Sequence, residues 1–315
     1  MKLQPTIYLS IILITTFLTQ TTVLFGQNPI KISYERDENK GSYVFYCENS
    51  DVCSYIVEIR FDQLVNLRAS RSLPFKGTVQ RGRTKLFELN PVAQNQSTSL
   101  NYSYSYRKGC LRPKVDWDLL YLLPVAKGNK TKVSELSYLG ERFGNEKKSK
   151  NWYALSFGMS VGDTVYAARK GIVVEVIDHF AQDGDNIIFA RDRNYVQIEH
   201  EDCTYGQYEL FRKNGIFVEK GDFINPGDPL GIIGGKNYQT GDQLRFSVFY
   251  ADEYPIEKDG NAVLKKNYWT YVPLKFHVKG GTTRLLNGKE YESEHVEEII
   301  IQEMSKKERK RWMKE

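Results

Sequence analysis

The chain has 315 residues, of which 41% are hydrophobic and 26% charged, and its formal net charge is +5. That length accommodates two domains, and the composition is globular rather than disordered or fibrous. The positive charge is small and dispersed, so nucleic acid is excluded as the expected partner and only a weak attraction for anionic wall polymers remains.

Residues 1–26 read as an export signal. Lys2 precedes an apolar stretch over 7–18, and Gly26 offers a small residue for cleavage before Gln27. Thr15, Thr16, Thr19 and Gln20 interrupt the apolar stretch, which makes it short for a spanning helix of about 20 apolar residues. Cleavage and retention as an anchor both stay open, and no firm membrane contact is expected beyond this segment. No cysteine stands near the cleavage point, which argues against a lipid anchor. The expected location is exported, periplasmic or extracellular.

Residues 28–125 read as all-β. Alternation over 42–46, 55–61 and 100–106, with turn-rich stretches between, predicts a small antiparallel sandwich. Tyr102, Tyr104 and Tyr106 share one face, and a packed sheet face is expected there in preference to a sugar-stacking surface. Cys47 and Cys53 flank a short turn, and a hairpin-end disulfide between them is the candidate pairing in an exported chain. Cys110 and Cys203 fall in different domains, and a bond stapling the two or a pair of buried free thiols both remain open.

Residues 126–150, polar and rich in lysine and glycine, read as a connection. The second domain spans 151–252, with strands at Gly171–Ile177 and Tyr195–Glu199 and an insertion at 178–193 between them. Gly162, Gly171 and Gly227 stand between β-branched runs, where a sharply turning sheet needs positive φ. Residues 253–294 read as a β extension, with a strand pair around 285–291 turning at Asn287-Gly288. Residues 295–315 form a charged helical tail, and its basic run at 306–311 is expected to be a solvated helix end.

The second domain carries an ordered set of short motifs. They are Trp152-Tyr153-Ala154-Leu155-Ser156, Gly162-Asp163-Thr164-Val165-Tyr166-Ala167, Gly171-Ile172-Val173, Tyr208-Glu209-Leu210-Phe211, Gly227-Asp228-Pro229-Leu230-Gly231 and Gln243-Leu244-Arg245-Phe246. The order resembles the lysostaphin-type (LytM-like) peptidoglycan endopeptidases, whose stations read H-x-x-x-D, G-T-P-V-x-A, G-x-V, Y-x-H-L, G-x-x-I-G and H-L-H-F. The resemblance covers residues 152–250. It implies a mostly β chain in which the N-terminal sandwich is followed by a duplicated-hybrid-motif, barrel-sandwich β domain and a short C-terminal helix. It also implies a zinc site and hydrolysis of peptidoglycan cross-links.

The same resemblance puts the first zinc histidine at Trp152, or at Tyr153 with a one-residue shift, and the zinc aspartate at Ser156. The zinc-binding second histidine of H-L-H falls on Arg245, its acid–base partner on Gln243, and the catalytic histidine of Y-x-H-L on Leu210. Zinc in such sites takes imidazole nitrogens and carboxylates. An indole is no ligand, a serine hydroxyl is a poor one, and arginine stays protonated. Leucine carries no proton. The chain has 4 histidines, none arranged as H-x-H. His179 with Asp183 matches H-x-x-x-D by letters, but it follows the strand it should precede; His200 ends a strand, where a structural role is expected.

The metal and catalytic stations are therefore expected to be degenerate, with zinc absent. Trp152, Tyr153, Ser156, Tyr208, Gln243 and Arg245 are expected to converge as a ligand groove. In it Arg245 either receives a carboxylate or forms an internal ion pair in place of the lost cation. The leading reading is a non-catalytic envelope protein that binds peptidoglycan stem peptides or an envelope protein. An active zinc endopeptidase and a purely structural envelope protein are the alternatives.

Overall fold

A computed structural model describes residues 28–137, 151–181, 192–234, 242–256 and 264–314. The signal at 1–26, the later part of the connection and the centre of the 178–193 insertion lie outside the described residues. The chain is mostly β.

The N-terminal domain is a sandwich of two antiparallel sheets. One holds β1 (Ile30–Asp37), β2 (Ser42–Asn49), β6 (Gly82–Pro91) and β4 (Leu67–Ala69) in that spatial order; the other holds β5 (Phe75–Val79), β3 (Tyr55–Val65) and β7 (Ser99–Lys108). Period-two alternation puts Phe45, Phe87, Leu89 and Ile59 between the sheets. The Phe45 and Phe87 rings stack there with centroids 4.8 Å apart. The tyrosine row of β7 faces this packing, as expected from its alternation. Tyr102 and Tyr104 donate their hydroxyl protons to the carbonyls of Ile32 and Ile30, and Tyr106 donates to Asn28 Oδ1. The phenols thus cover β1, an edge strand of the facing sheet.

The candidate Cys47–Cys53 disulfide does not form. The reason is topological: β2 pairs with β1 and β6, while β3 pairs with β5 and β7. The intervening segment crosses between sheets instead of closing a hairpin. Side chains hold that crossing, with Asn49 Nδ2 donating to the Cys53 carbonyl at 2.9 Å and Asp51 Oδ1 accepting from the Val52 N–H at 2.7 Å. Both thiols are free and buried. Burial pushes Cys47 up to about 11, and burial together with Glu199 pushes Cys53 up to about 12. Both are poor nucleophiles in consequence. The bond that forms is Cys110–Cys203, with Cα atoms 5.9 Å apart.

The second domain is organised by a nine-stranded sheet. Its order is β16 (Phe223–Ile224), β12 (Gly171–Ile177), β13 (Tyr195–Glu199), β14 (Tyr205–Glu209), β18 (Gln243–Ile256), β10 (Leu155–Gly158), β9 (Lys130–Glu135) and β22 (Glu290–Glu292), with β19 (Leu264–Tyr271) also paired to β18. Thus β9, within the segment read as a connection, is a strand of this sheet. A second sheet, β11 (Thr164–Tyr166), β17 (Pro229–Ile233) and β15 (Phe211–Ile216), closes the core. A third joins β8 (Leu120–Leu122) in parallel to β20 (Lys275–Val278), which also pairs with β21 (Gly281–Thr283).

The inner core gathers Leu155, Phe157, Val196, Ile198, Tyr208, Leu244, Phe246 and Val248 with Val165, Leu230 and Ile233. Gly162 and Gly227 have φ of +96° and +91°, as a sharp turn requires. Gly171 differs from the expectation, because its φ is not positive. A Cβ there would lie 2.5 Å from the Glu199 carbonyl, so close strand approach, not turn geometry, demands glycine. Asn287 and Gly288 do form a turn, but the strand after it, β22, pairs with β9 and not with a hairpin partner. The tail ends in two short helices, α1 (Glu297–Ile300) and α2 (Lys306–Trp312), the latter started by a Ser305–Glu308 capping box.

Candidate functional site

Alternation divides the large sheet into an apolar inner face and a polar outer face. Ser156 stands directly opposite Arg245, Arg245 opposite Glu209, and Glu209 opposite Tyr195, so one row crosses β10, β18, β14 and β13. The next row holds Ser247, Gln207, Gln197 and Glu175. Ser156 Oγ donates to the Ser134 carbonyl at 3.4 Å. Arg193 Nε lies 3.2 Å from Glu209 Oε2, and Gln207 Nε2 donates to Glu209 Oε1 at 2.5 Å. Gln197 Nε2 donates in turn to Gln207 Oε1 at 3.2 Å. The face is a linked set of guanidinium, carboxylate, amide and hydroxyl groups.

Ser156 and Arg245 are therefore brought together, and Gln243 is buried two pairs further along, opposite Gly158. The wider groove does not assemble. Tyr208 is fully buried on the inner face, and its hydroxyl accepts the Ala168 N–H at 2.8 Å. Tyr153 packs against the inner core, where burial pushes its hydroxyl up to about 12. Tyr208 misses the outer face by one position of the strand alternation, since its neighbours Gln207 and Glu209 hold the outer positions, and Tyr153 lies ahead of β10. Trp152 donates from Nε1 to the Leu136 carbonyl at 2.7 Å and packs on Tyr271, with centroids 4.6 Å apart. Its indole is committed to local packing.

Leu210 sits in the inner core at φ +84°. A bulky residue in the left-handed region carries roughly 1–3 kcal/mol of strain. Backbone bonds hold it there: its N–H donates to the Asn194 carbonyl, and its own carbonyl accepts from Gly234. Asn194, fully buried, also donates to the Phe180 and Phe211 carbonyls and so fixes the base of the insertion.

The histidines are occupied elsewhere. His200 is buried with Nδ1 2.7 Å from the Lys170 carbonyl; His277 Nε2 contacts Glu294 at 3.1 Å, His295 Nε2 the Val125 carbonyl at 3.1 Å, and His179 stacks beside Phe180. Burial, and then the Arg169 charge, hold His200 well below the ordinary imidazole range. Cys110, Glu199 and Cys203 place donor atoms within 4.8 Å of one another, but the two sulfurs are bonded to each other and offer no thiolate.

A charged cluster that the sequence did not reveal centres on Arg169, 2% exposed. Its guanidinium makes a two-pronged contact to Glu303 at 2.9 and 2.7 Å and donates to Asp202, Thr204 and Tyr121. Burial pushes the Asp202 carboxyl up, but Arg169 first, then His200 and Thr204, leave it below its ordinary value. A lone arginine after Ala167-Ala168 gives no local signal, because Glu303 lies 134 residues away in sequence.

The outer face is also partly roofed. Glu199, Tyr205, Phe249 and Tyr271 form the row beyond Gln197 and Ser247. Val174, Tyr205 and Phe249 belong to the same apolar cluster as the N-terminal sandwich core. Ser54 donates its N–H to Glu199 Oε2 at 2.9 Å, and Lys108 Nζ lies 2.6 Å from Glu175 Oε2.

Residues 150–258 match Peptidase family M23. No curated protein matches the chain. Among solved structures, LytM from Ruminococcus gnavus is 18% identical, over 47% of this chain and 57% of that one, with a TM-score of 0.29. This chain thus spans little more than half of that structure. A peptidase M23 from Pseudomonas aeruginosa is 12% identical over 61% and 82% of the two chains, with a TM-score of 0.25. Csd3 from Helicobacter pylori is 13% identical over 76% and 77%, with a TM-score of 0.27.

Proposed function

We propose that this chain, whose residues 150–258 are a peptidase family M23 domain, is an exported, non-catalytic protein of the cell envelope that binds or regulates rather than hydrolyses. One observation carries the reading: Ser156 and Arg245, at the metal stations of the motif order, face each other in register. A hydroxyl and a permanently protonated guanidinium do not suit zinc, and the guanidinium puts positive charge where a cation would sit. The residues present do not fit the metal, so no metal-activated water follows. Leu210, packed in the core, and Gln243 supply no proton carrier. The Cys110–Cys203 disulfide supports an oxidising compartment. Arg245, flanked by Ser156 and Glu209, supports recognition of a carboxylate on a peptidoglycan stem peptide or on an acidic loop of an envelope protein.

The test is elemental analysis of the purified mature protein together with hydrolysis of peptidoglycan sacculi. The expected result is no stoichiometric zinc and no released fragments. One zinc per chain that disappears in Ser156→Ala, or turnover abolished by a chelator, would overturn the reading.

A further inference from the structure

We propose that the Cys110–Cys203 disulfide is a redox latch that holds the N-terminal sandwich over part of the M23 sheet's outer face, and that its reduction uncovers that part. The inference rests on the reading of this face as the functional one.

The latch is defined by what it joins. Cys110 lies just after β7, at the start of the segment leading to β8, and Cys203 lies in the turn between β13 and β14. With the bond closed, the end of β7 is fixed beside the sheet. With it open, the domains are joined only through residues 111–119, which reach about 30 Å when extended. Among the described residues the contacts under the latch include Val174 and the Tyr205 and Phe249 rings within the sandwich core, Cys53 Sγ 3.6 Å from the Tyr205 hydroxyl, the Ser54–Glu199 hydrogen bond, the Lys108–Glu175 pair and the Lys220–Asp51 pair at 2.8 Å. Interfaces of this kind between domains resemble transient ones, and a short tether multiplies their effective strength. What they cover is an aromatic row, Tyr205, Phe249 and Tyr271, next to the polar row of Gln207 and Ser247, beyond which lies the row of Arg245 and Glu209. Uncovering it would lengthen the exposed strip toward an extended peptide.

The chemistry balances with an external dithiol as reductant. Cys203 is half-exposed and Cys110 buried, so the attacking thiolate meets Cys203 Sγ. The S–S bond breaks and Cys110 leaves as a thiolate that takes a proton from water. The second thiol of the reductant then displaces Cys203 and departs as its own disulfide.

Hydrogen exchange on the full-length oxidised protein, before and after dithiothreitol, tests the latch. Exchange at the Ser54 amide, whose acceptor Glu199 lies across the boundary, is expected to rise about 100-fold, the scale by which a second link strengthens an intramolecular contact, while 229–233 in the inner core keeps its protection. The double variant Cys110→Ser/Cys203→Ser is expected to match the reduced protein without reductant. Unchanged exchange at the Ser54 amide in the reduced protein overturns the proposal. So does equal loss of protection over 229–233, which would make the bond a staple of the whole fold. Sacculus binding is measured separately in both redox states, and its failure in both would remove the reading of the face while leaving the exchange result intact.

Discussion

The inner and outer faces of one sheet, made by the same strands, are built to different rules. On β18, Leu244, Phe246 and Val248 enter the core, while Arg245 and Ser247 point the other way. On β10 the division is Leu155 and Phe157 against Ser156. Inner positions are bound by volume and packing, so their side chains are the ones any such sheet needs. Outer positions answer only to one another and to whatever binds them. Ser156 and Arg245 belong to the outer face, where a side chain can change without disturbing the strands.

The largest expected effect is on the inner face. Phe246→Ala should cost about 3–5 kcal/mol in chemical unfolding, by lost burial and the cavity left behind. A cost under about 1 kcal/mol would mean that the core is loosely packed and that the contrast between faces fails. A charged residue should rival it. Arg169→Met leaves Asp202 and Glu303 facing each other with no cation, which should cost about 3–5 kcal/mol. Unfolding measured against Glu303→Gln/Arg169→Met separates the two contributions, because the double variant restores part of the loss.

Next comes a pH effect. His200 is buried, and its folded pKa is depressed below the unfolded value. The unfolded chain gains a proton there as pH falls below about 6.5, while the folded chain does not. Stability is thus full above that pH and declines below it, by up to about 1.4 kcal/mol per pH unit. Asp202, also depressed, adds its loss only at lower pH, where carboxylates titrate. The decline between pH 6.5 and 5 should flatten in His200→Gln; the same slope in both proteins would assign it elsewhere. The smallest effect belongs to the outer face. Ser156→Ala should change stability by less than about 1 kcal/mol, since its one hydrogen bond at 3.4 Å is long. A larger loss would show that the outer face is a structural network and not a surface open to change.

Local signals made much of the molecule legible. Period-two alternation marked strands of the N-terminal domain, and the glycine and motif order marked the second domain, because these depend on neighbours in sequence. The same motif order put Ser156 and Arg245 in one group, and the strand register sets them opposite each other. The groove was only half legible. Tyr153 and Tyr208 were assigned to it by motif proximity, yet a shift of one residue along β14 sends Tyr208 to the opposite face, and Tyr153, ahead of β10, packs on the inner core.

By itself, then, the sequence determined the strand content, the motif order over 152–250 and the residue types within it, for these are written in short runs. Tertiary structure alone decided which cysteines pair, because β2 and β3 lie in opposite sheets while Cys110 and Cys203, 93 residues apart, meet at the domain boundary. It decided that Glu303 from the tail neutralises Arg169, and that the sandwich roofs one end of the outer face. Each of these is a contact between distant segments, and its partners carry no mark of one another until the chain has folded.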